Sequence, residues 1–265
     1  MPTAHTGDLS LYYEESGSGE PVILLPGLGA NHMAWANQVR ALSPHFRCIA
    51  VDNRDVGQSG CVSGQYTIRD MARDVVGLLD ALELPSAHVI GWSMGGAIAQ
   101  ELAIGWPERV RRLCLVATYH HSDPRGRERQ RAFVYLRQTL PPEVYSGVTY
   151  PWSFTYRAYL RPGFIEGMRE RALSNPHQQS PEAYERQNEA TIAHHAKGRL
   201  GKILAPTLLL VGAEDILTPQ ERFSQPMAQE IPDARLVVLP EVGHGLLWEQ
   251  PEAVSKALLD FLLLS

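Results

Sequence analysis

The stretch Gly91-Trp92-Ser93-Met94-Gly95-Gly96 constrains this chain more than any other. An apolar run ending at Ile90 stops at a glycine. A helix-like pattern of Met94, Ala97, Ile98, Glu101 and Leu102 begins just past the serine. A serine centred in Gly-x-Ser-x-Gly between a strand and a helix reads as a nucleophile elbow. So tight a turn forces the serine into a strained backbone conformation. Side chains at Gly91 and Gly95 would collide with neighbouring chain. The hydroxyl is then held above a sheet at a helix N-terminus, where free N–H groups and the helix dipole favour negative charge.

The flanking sequence predicts which sheet this is. Leu9 to Glu15 alternate as a strand. Val22–Leu25, Phe46–Val51 and Pro206–Val211 are short apolar runs of the kind buried on both faces, and Ala87–Ile90, Val110–Ala117 and Ala234–Leu239 read as further strands. Helical spacing is expected over His32–Ser43, over Thr67–Leu84 with Thr67 and Asp70 as a capping box, after Ser93 to about Ile104, over Pro219–Glu230 and over Pro251–Leu264. Strands alternating with helices predict an α/β fold: a mostly parallel sheet with right-handed crossovers and helices on both faces. Its ligands belong beyond the carboxyl ends of the strands. The breaks at residues 26–29, 52–59 and 91–95 all fall there and are expected to be spatial neighbours.

Between about Tyr119 and Arg199 the buried-strand runs vanish. Aromatics, arginines and prolines replace them, including Phe133, Tyr145, Tyr150, Trp152 and Phe154. Residues 120–199 are expected to be a helical cap inserted into a core of 1–119 and 200–265, with some of its aromatics facing a substrate. Arg125, Arg127, Arg129 and Arg131 alternate with other residues and read as a solvated face.

A serine hydroxyl needs a base to take its proton and an acid to orient that base. The last two strands each end in one candidate: Asp215 after Gly212-Ala213-Glu214, and His244 between Gly243 and Gly245. Glu214 and Asp123 compete for the acid role. Among the chain's 10 histidines, His120 and His121 follow a strand and are expected near a pocket. His194 and His195 fall in the insertion, His5 and His45 read as surface residues, and His88 as structural. An oxyanion needs two backbone donors. The N–H of Met94 and that of Leu28, within Pro26-Gly27-Leu28-Gly29, are the candidates. Trp92, His120 and Trp152 are the candidate pocket residues.

Composition excludes several classes. With 265 residues, 44% hydrophobic and 20% charged, the chain can bury a sizeable core. A net charge of −5 with interspersed signs offers no stripe for nucleic acid. The 3 cysteines, Cys48, Cys61 and Cys114, lack metal-ligand spacing, and their odd number argues against a disulfide framework. Cys48 and Cys114 are expected in the core, Cys61 in a loop near the site. No metal or cofactor is implied. Residues 1–10 show no secretory signal and no run is long enough for a membrane span, so a cytoplasmic location is expected. No oligomeric state is encoded legibly.

The order Ser93, Asp215, His244 is that of the α/β-hydrolases, and the chain resembles that superfamily over nearly its whole length. The motifs are the glycine loop at 26–29, Asp52-x-Arg54 with Gly57-x-Ser59, the elbow at 91–96, Asp215 in Gly-x-x-Asp, and Gly243-His244. Tyr66-Thr67-Ile68, Met71-Ala72-x-Asp74-Val75 and Gly-x-Ser-Met-Gly-Gly make it similar to the branch of 3-oxoadipate enol-lactonases and small carboxylesterases. Three positions depart from the usual pattern. Pro26 stands where many relatives have histidine, Asp55 where many have glycine, and Trp92 where histidine is common.

The resemblance implies a serine hydrolase acting on small-molecule carboxylic esters or lactones through an acyl-enzyme on Ser93. Carbon–carbon bond hydrolysis, cofactor-free haloperoxidase or perhydrolase chemistry and thioester hydrolysis use the same triad. A slow-turnover small-molecule receptor is the alternative of a different class.

Overall fold

The computed structural model describes residues 2–7 and 9–264. Its strands are β1 (Thr3–Thr6), β2 (Leu9–Ser16), β3 (Pro21–Leu25), β4 (Arg47–Val51), β5 (Ala87–Trp92), β6 (Val110–Val116), β7 (Thr207–Gly212) and β8 (Ala234–Leu239). They form one 8-stranded sheet in the order β1-β2-β4-β3-β5-β6-β7-β8. Only the β1–β2 and β2–β4 pairings are antiparallel; the rest are parallel. β1 has no counterpart in the apolar pattern. It is a short edge strand, with Thr3 opposite Tyr12 and Thr6 opposite Leu9, and an edge this short carries no periodicity to read.

The continuous apolar runs are explained by two cores, one on each face. In β3, Ile23 and Leu25 join a core with Leu78, Leu79 and Ile98, whereas Val22 and Leu24 join another with Trp35, Leu42 and Leu258. β6 divides the same way, Leu113 and Leu115 against Cys114 and Val116. Period-2 side chains in a strand covered on both sides leave no polar position. Cys48 and Cys114 are buried in the second core, and burial pushes the Cys48 thiol up to about 11. The helix Ile68–Ala81 carries the expected capping box, with Thr67 accepting from the Asp70 N–H.

Helices Pro124–Thr139, Pro142–Ser153, Tyr156–Leu160, Phe164–Ser174 and Pro181–Ala193 lie between β6 and β7. A bridge between His121 and His195 brings the two ends of this insertion together. The expected helix over Pro219–Glu230 is shorter, Ser224–Glu230, because the residues before it form turns around Asp215.

At the centre of the sheet, β5 runs into the helix Met94–Gly105 through Ser93 at φ 54°, ψ −117°. A non-glycine residue there costs on the order of 1–3 kcal/mol, and the surroundings hold it. Ser93 N–H donates to Val116 O at 2.9 Å, and the Thr118 hydroxyl donates to Ser93 O at 2.6 Å. The glycines admit the helix: a Cβ at Gly91 would lie 2.2 Å from Gly95 O, and one at Gly95 2.0 Å from Leu25 O. Both obstacles are backbone and cannot rotate away. Gly95→Ala is expected to cost about 3 kcal/mol or more, read as a melting temperature lower by several degrees. A melt within about 2 °C of the parent would show that the elbow tolerates the methyl.

Candidate active site

Ser93, His244 and Asp215 stand at the carboxyl ends of β5, β8 and β7 and form one hydrogen-bonded chain. The Ser93 hydroxyl lies 3.0 Å from His244 Nε2, and His244 Nδ1 lies 2.9 Å from Asp215 Oδ2. Asp215 Oδ1 accepts the N–H groups of Leu217 and Thr218, both at 2.8 Å, while Oδ2 also accepts the Thr218 hydroxyl at 2.6 Å. Burial alone would raise the Asp215 pKa. The adjacent His244 and the Thr218 donors outweigh it and hold the carboxyl below the usual range. An ionised Asp215 accepts from Nδ1–H, which leaves Nε2 free to accept the serine proton. Thr218 was not singled out by sequence, although Asp-x-x-Thr is a local turn signal in which the acid accepts backbone N–H groups just ahead.

The competing acids are engaged elsewhere. Glu214 pairs with Arg157 at 3.2 Å. Asp123 caps the helix Pro124–Thr139 through the Gly126 N–H at 2.6 Å and pairs with Arg222 at 2.7 Å.

The 26–29 loop crosses directly over the elbow. A Cβ at Gly27 would lie 2.9 Å from the Trp92 ring and 3.3 Å from Ser93 Cβ. Ala30 N–H donates to Gly27 O at 3.1 Å and Gly29 has φ 71°, a turn that needs glycine at its third position. Leu28 and Met94 line the cavity in front of Ser93. Among the described residues the N–H of neither is engaged.

The three departures from the usual pattern acquire physical roles. With proline at 26, the loop is held from the insertion. Gly29 N–H donates to Gln187 Oε1 at 3.2 Å, and Gln187 Nε2 donates to Arg54 O at 2.8 Å. Gln179 Nε2 bridges Gln187 Oε1 and Asp55 O, both at 3.1 Å. Asp55 keeps the left-handed φ of 67° that explains glycine elsewhere, and its carboxylate meets Arg186 through two bonds of 2.9 and 3.0 Å. Trp92 donates its indole N–H to His244 O at 3.2 Å and packs edge-on against Trp248, so it steadies the loop that carries His244. The insertion grips that loop too. Gly245 N–H donates to Ser153 O at 2.8 Å, and Glu249 accepts from both Gly243 N–H and Thr155. None of these glutamine contacts has a signal in a single sequence.

The cavity above Ser93 has a volume of about 500 Å³, within the usual range for small-molecule sites. Phe133, Tyr145, Tyr150, Phe154 and Met168 from the insertion line it. Two expected pocket residues do not. His120 turns its ring into the protein beside Phe223, and His121, the next residue, faces the cavity; burial lowers the His120 pKa to about 4. Trp152 packs edge-on against Phe133 and does not line the cavity, although Tyr145, Thr149, Tyr150 and Ser153 of the same helix do. Cys61 is exposed and does not reach the site. The arginine series also divides. On a helix, positions two apart point to different sides, so Arg125 and Arg129 face the cavity while Arg131 is exposed on the other side and pairs with Glu128.

Among the described residues no group of three or more His, Cys, Asp or Glu side chains is placed to hold a metal ion, and no helix is long and apolar enough to cross a membrane.

Comparison with known proteins agrees with this architecture. The family model for the alpha/beta hydrolase fold matches residues 20–251. A protein of Azorhizobium caulinodans that carries the name carbamate hydrolase RutD is 33% identical over 264 residues, covering 98% of each chain. The solved enol-lactonase of Burkholderia xenovorans LB400 superposes with a TM-score of 0.89 at 28% identity, over 98% of this chain and 99% of that one. A thermophilic esterase of Thermogutta terrifontis superposes with a TM-score of 0.85 at 30% identity, over 96% and 93%.

Proposed function

The chain belongs to the α/β-hydrolase fold family, and from that premise we propose that it is a serine hydrolase of small carboxylic esters or lactones. The observation that carries this reading is the hydrogen-bonded chain Ser93–His244–Asp215 opening on a largely apolar cavity. Ser93 attacks the carbonyl carbon while His244 Nε2 takes its proton. The N–H groups of Leu28 and Met94 receive the charge that develops on the carbonyl oxygen. His244 returns the proton to the leaving alkoxide, and a water activated by the same nitrogen releases the acid from Ser93. Residues 120–199 act as the cap that shapes the acyl and alcohol sites, and the substrate is a small molecule.

The test is trapping. A fluorophosphonate should label one equivalent of protein on the peptide containing Ser93, aryl esters should be turned over with a burst of phenol release, and lactones should be opened to their hydroxy acids. Labelling elsewhere, or steady binding of esters without turnover, would sink the reading. Carbamates belong in the same panel because of the name that the Azorhizobium relative carries. Turnover of carbamates far above esters would move the assignment to them.

On this mechanism Gln187 matters without touching substrate. Gln187→Leu removes the acceptor of Gly29 N–H and the donor to Arg54 O, and the loop that presents Leu28 N–H loses its hold. The expected result is a kcat lowered between about 10- and 100-fold with KM changed far less, since a misplacement near 1 Å costs that much. Steady-state kinetics with one aryl ester decide it; an unchanged kcat would mean that the loop holds its shape alone.

A further inference from the structure

The cavity is charged opposite to the molecule. The chain has a formal net charge of −5, yet among the described residues Arg125, Arg129, Arg137, Arg171 and Arg222 line the cavity with Asp123 as the one acid. Two of these arginines are committed. Arg222 neutralises Asp123 at 2.7 Å. Arg137 lies over the rings of Tyr145 and Tyr184 and donates to Gln179 O at 3.2 Å. Arg125 and Arg171 are exposed at the rim.

Arg129 differs from all of them. It is half-buried, and among the described residues it has no carboxylate within salt-bridge distance. Among the described residues it makes one long hydrogen bond, 3.5 Å from Nη2 to Leu217 O. Leu217 is the residue whose N–H donates to Asp215, so the guanidinium lies in the cavity wall against the turn that holds Asp215. Burial depresses its pKa, with Asp123 and Asp215 partly offsetting the effect, and a guanidinium stays charged even so. In the cavity wall, where the effective dielectric is lower than on the open surface, an anionic partner for that charge is worth more. The planar fork of those donors matches a carboxylate through two parallel bonds.

We propose that Arg129 binds a carboxylate on the substrate, so that the preferred substrates are esters whose acyl or alcohol part carries a second, ionised carboxyl group. The proposal rests on the serine-hydrolase reading and deepens it. Arg129 acts on binding and orientation; it takes no part in proton transfer.

The experiment compares two esters of equal chain length, mono-4-nitrophenyl glutarate, which is anionic, and 4-nitrophenyl pentanoate, which is neutral. The readout is the ratio of their kcat/KM values. Wild type should favour the anionic ester by about tenfold or more, as a charge-assisted hydrogen bond allows. Arg129→Gln should lower that ratio by about tenfold, chiefly through KM for the anionic ester. Arg129→Lys should retain part of the preference. Arg131→Gln, on the opposite side of the same helix, should retain all of it. Free glutarate should inhibit wild-type hydrolysis of the neutral ester competitively, and pentanamide should do so far more weakly. This last measurement needs no variant to fold. Equal or reversed preference in wild type, or an equal loss on both esters in Arg129→Gln, would overturn the proposal. Ser93-dependent turnover of the neutral ester keeps the hydrolase reading standing in either case. Absence of turnover with both esters would remove the two together.

Discussion

Ser93→Ala is expected to lower kcat for a simple aryl ester by about 10⁵-fold or more, with folding and ester binding retained. In a serine hydrolase, removing the nucleophile costs nearly as much as removing all three groups, because base and acid then have no hydroxyl to act on. What survives is binding and the two oxyanion donors, worth about 10³–10⁴ over water. The backbone reasons for a stable variant are local. Ser93 is held at φ 54° by its N–H on Val116 O and its carbonyl on the Thr118 hydroxyl. Neither bond uses the side chain, and alanine meets the same strain as serine there. Single-turnover kinetics with a melt on the same sample decide the matter. A folded variant with activity within tenfold of wild type would move the nucleophile elsewhere.

Asp215→Asn is expected to lower kcat by about 10⁴-fold with a small change in KM. Oδ1 accepts two backbone N–H groups, so the amide oxygen of asparagine must take that place. Its NH₂ then occupies the position of Oδ2, against His244 Nδ1 and the Thr218 hydroxyl. Nδ1 is forced to accept, the imidazole proton moves to Nε2, and the face turned to Ser93 can no longer act as a base. Losses of this order are seen when the acid of such a triad becomes an amide and the tautomer is wrong. Burial adds a second cost, since the ionised carboxyl that stabilised the imidazolium is gone. If Asp215→Asn kept more than about a tenth of wild-type kcat, the tautomer argument would fail.

The sheet and the Ser93–His244–Asp215 chain were legible because their signals are local and physical. Val22–Leu25 and Leu208–Val211 are apolar on both faces because both faces are covered, and glycine follows each run, at Gly27 and Gly212. The insertion was less legible. Its helices carry polar residues on the side that lines a partly polar cavity as well as on the side that meets solvent, so no apolar stripe marks the inward face. That is why the Arg125–Arg131 series looked uniform while the helix turned Arg129 inward, and why Trp152 was placed in a pocket that its neighbours Tyr150 and Ser153 line instead. His120 and His121 differ by one residue and both pack against Phe223, yet His121 lines the cavity and His120 does not. The roles of Thr218 and Gln187 depend on long-range approach that chain order does not display.

The insertion is bonded to the core at two opposite rims of the cavity. Gln187 and Arg186 hold the 29–55 side, and Ser153 and Thr155 hold the 243–249 side. Each neutral bond of this kind contributes about 0.5–1.5 kcal/mol, and two of them satisfy Gly29 N–H and Gly245 N–H, on the loops that carry Leu28 and His244. These helices and this sheet are therefore not interchangeable modules. A chimera that received the insertion of another hydrolase would inherit a new pocket and forfeit part of the alignment of its own reacting groups. Its rate would fall even on an ester that the new pocket fits, until the contacts at residues 153, 155, 186 and 187 were restored along with it.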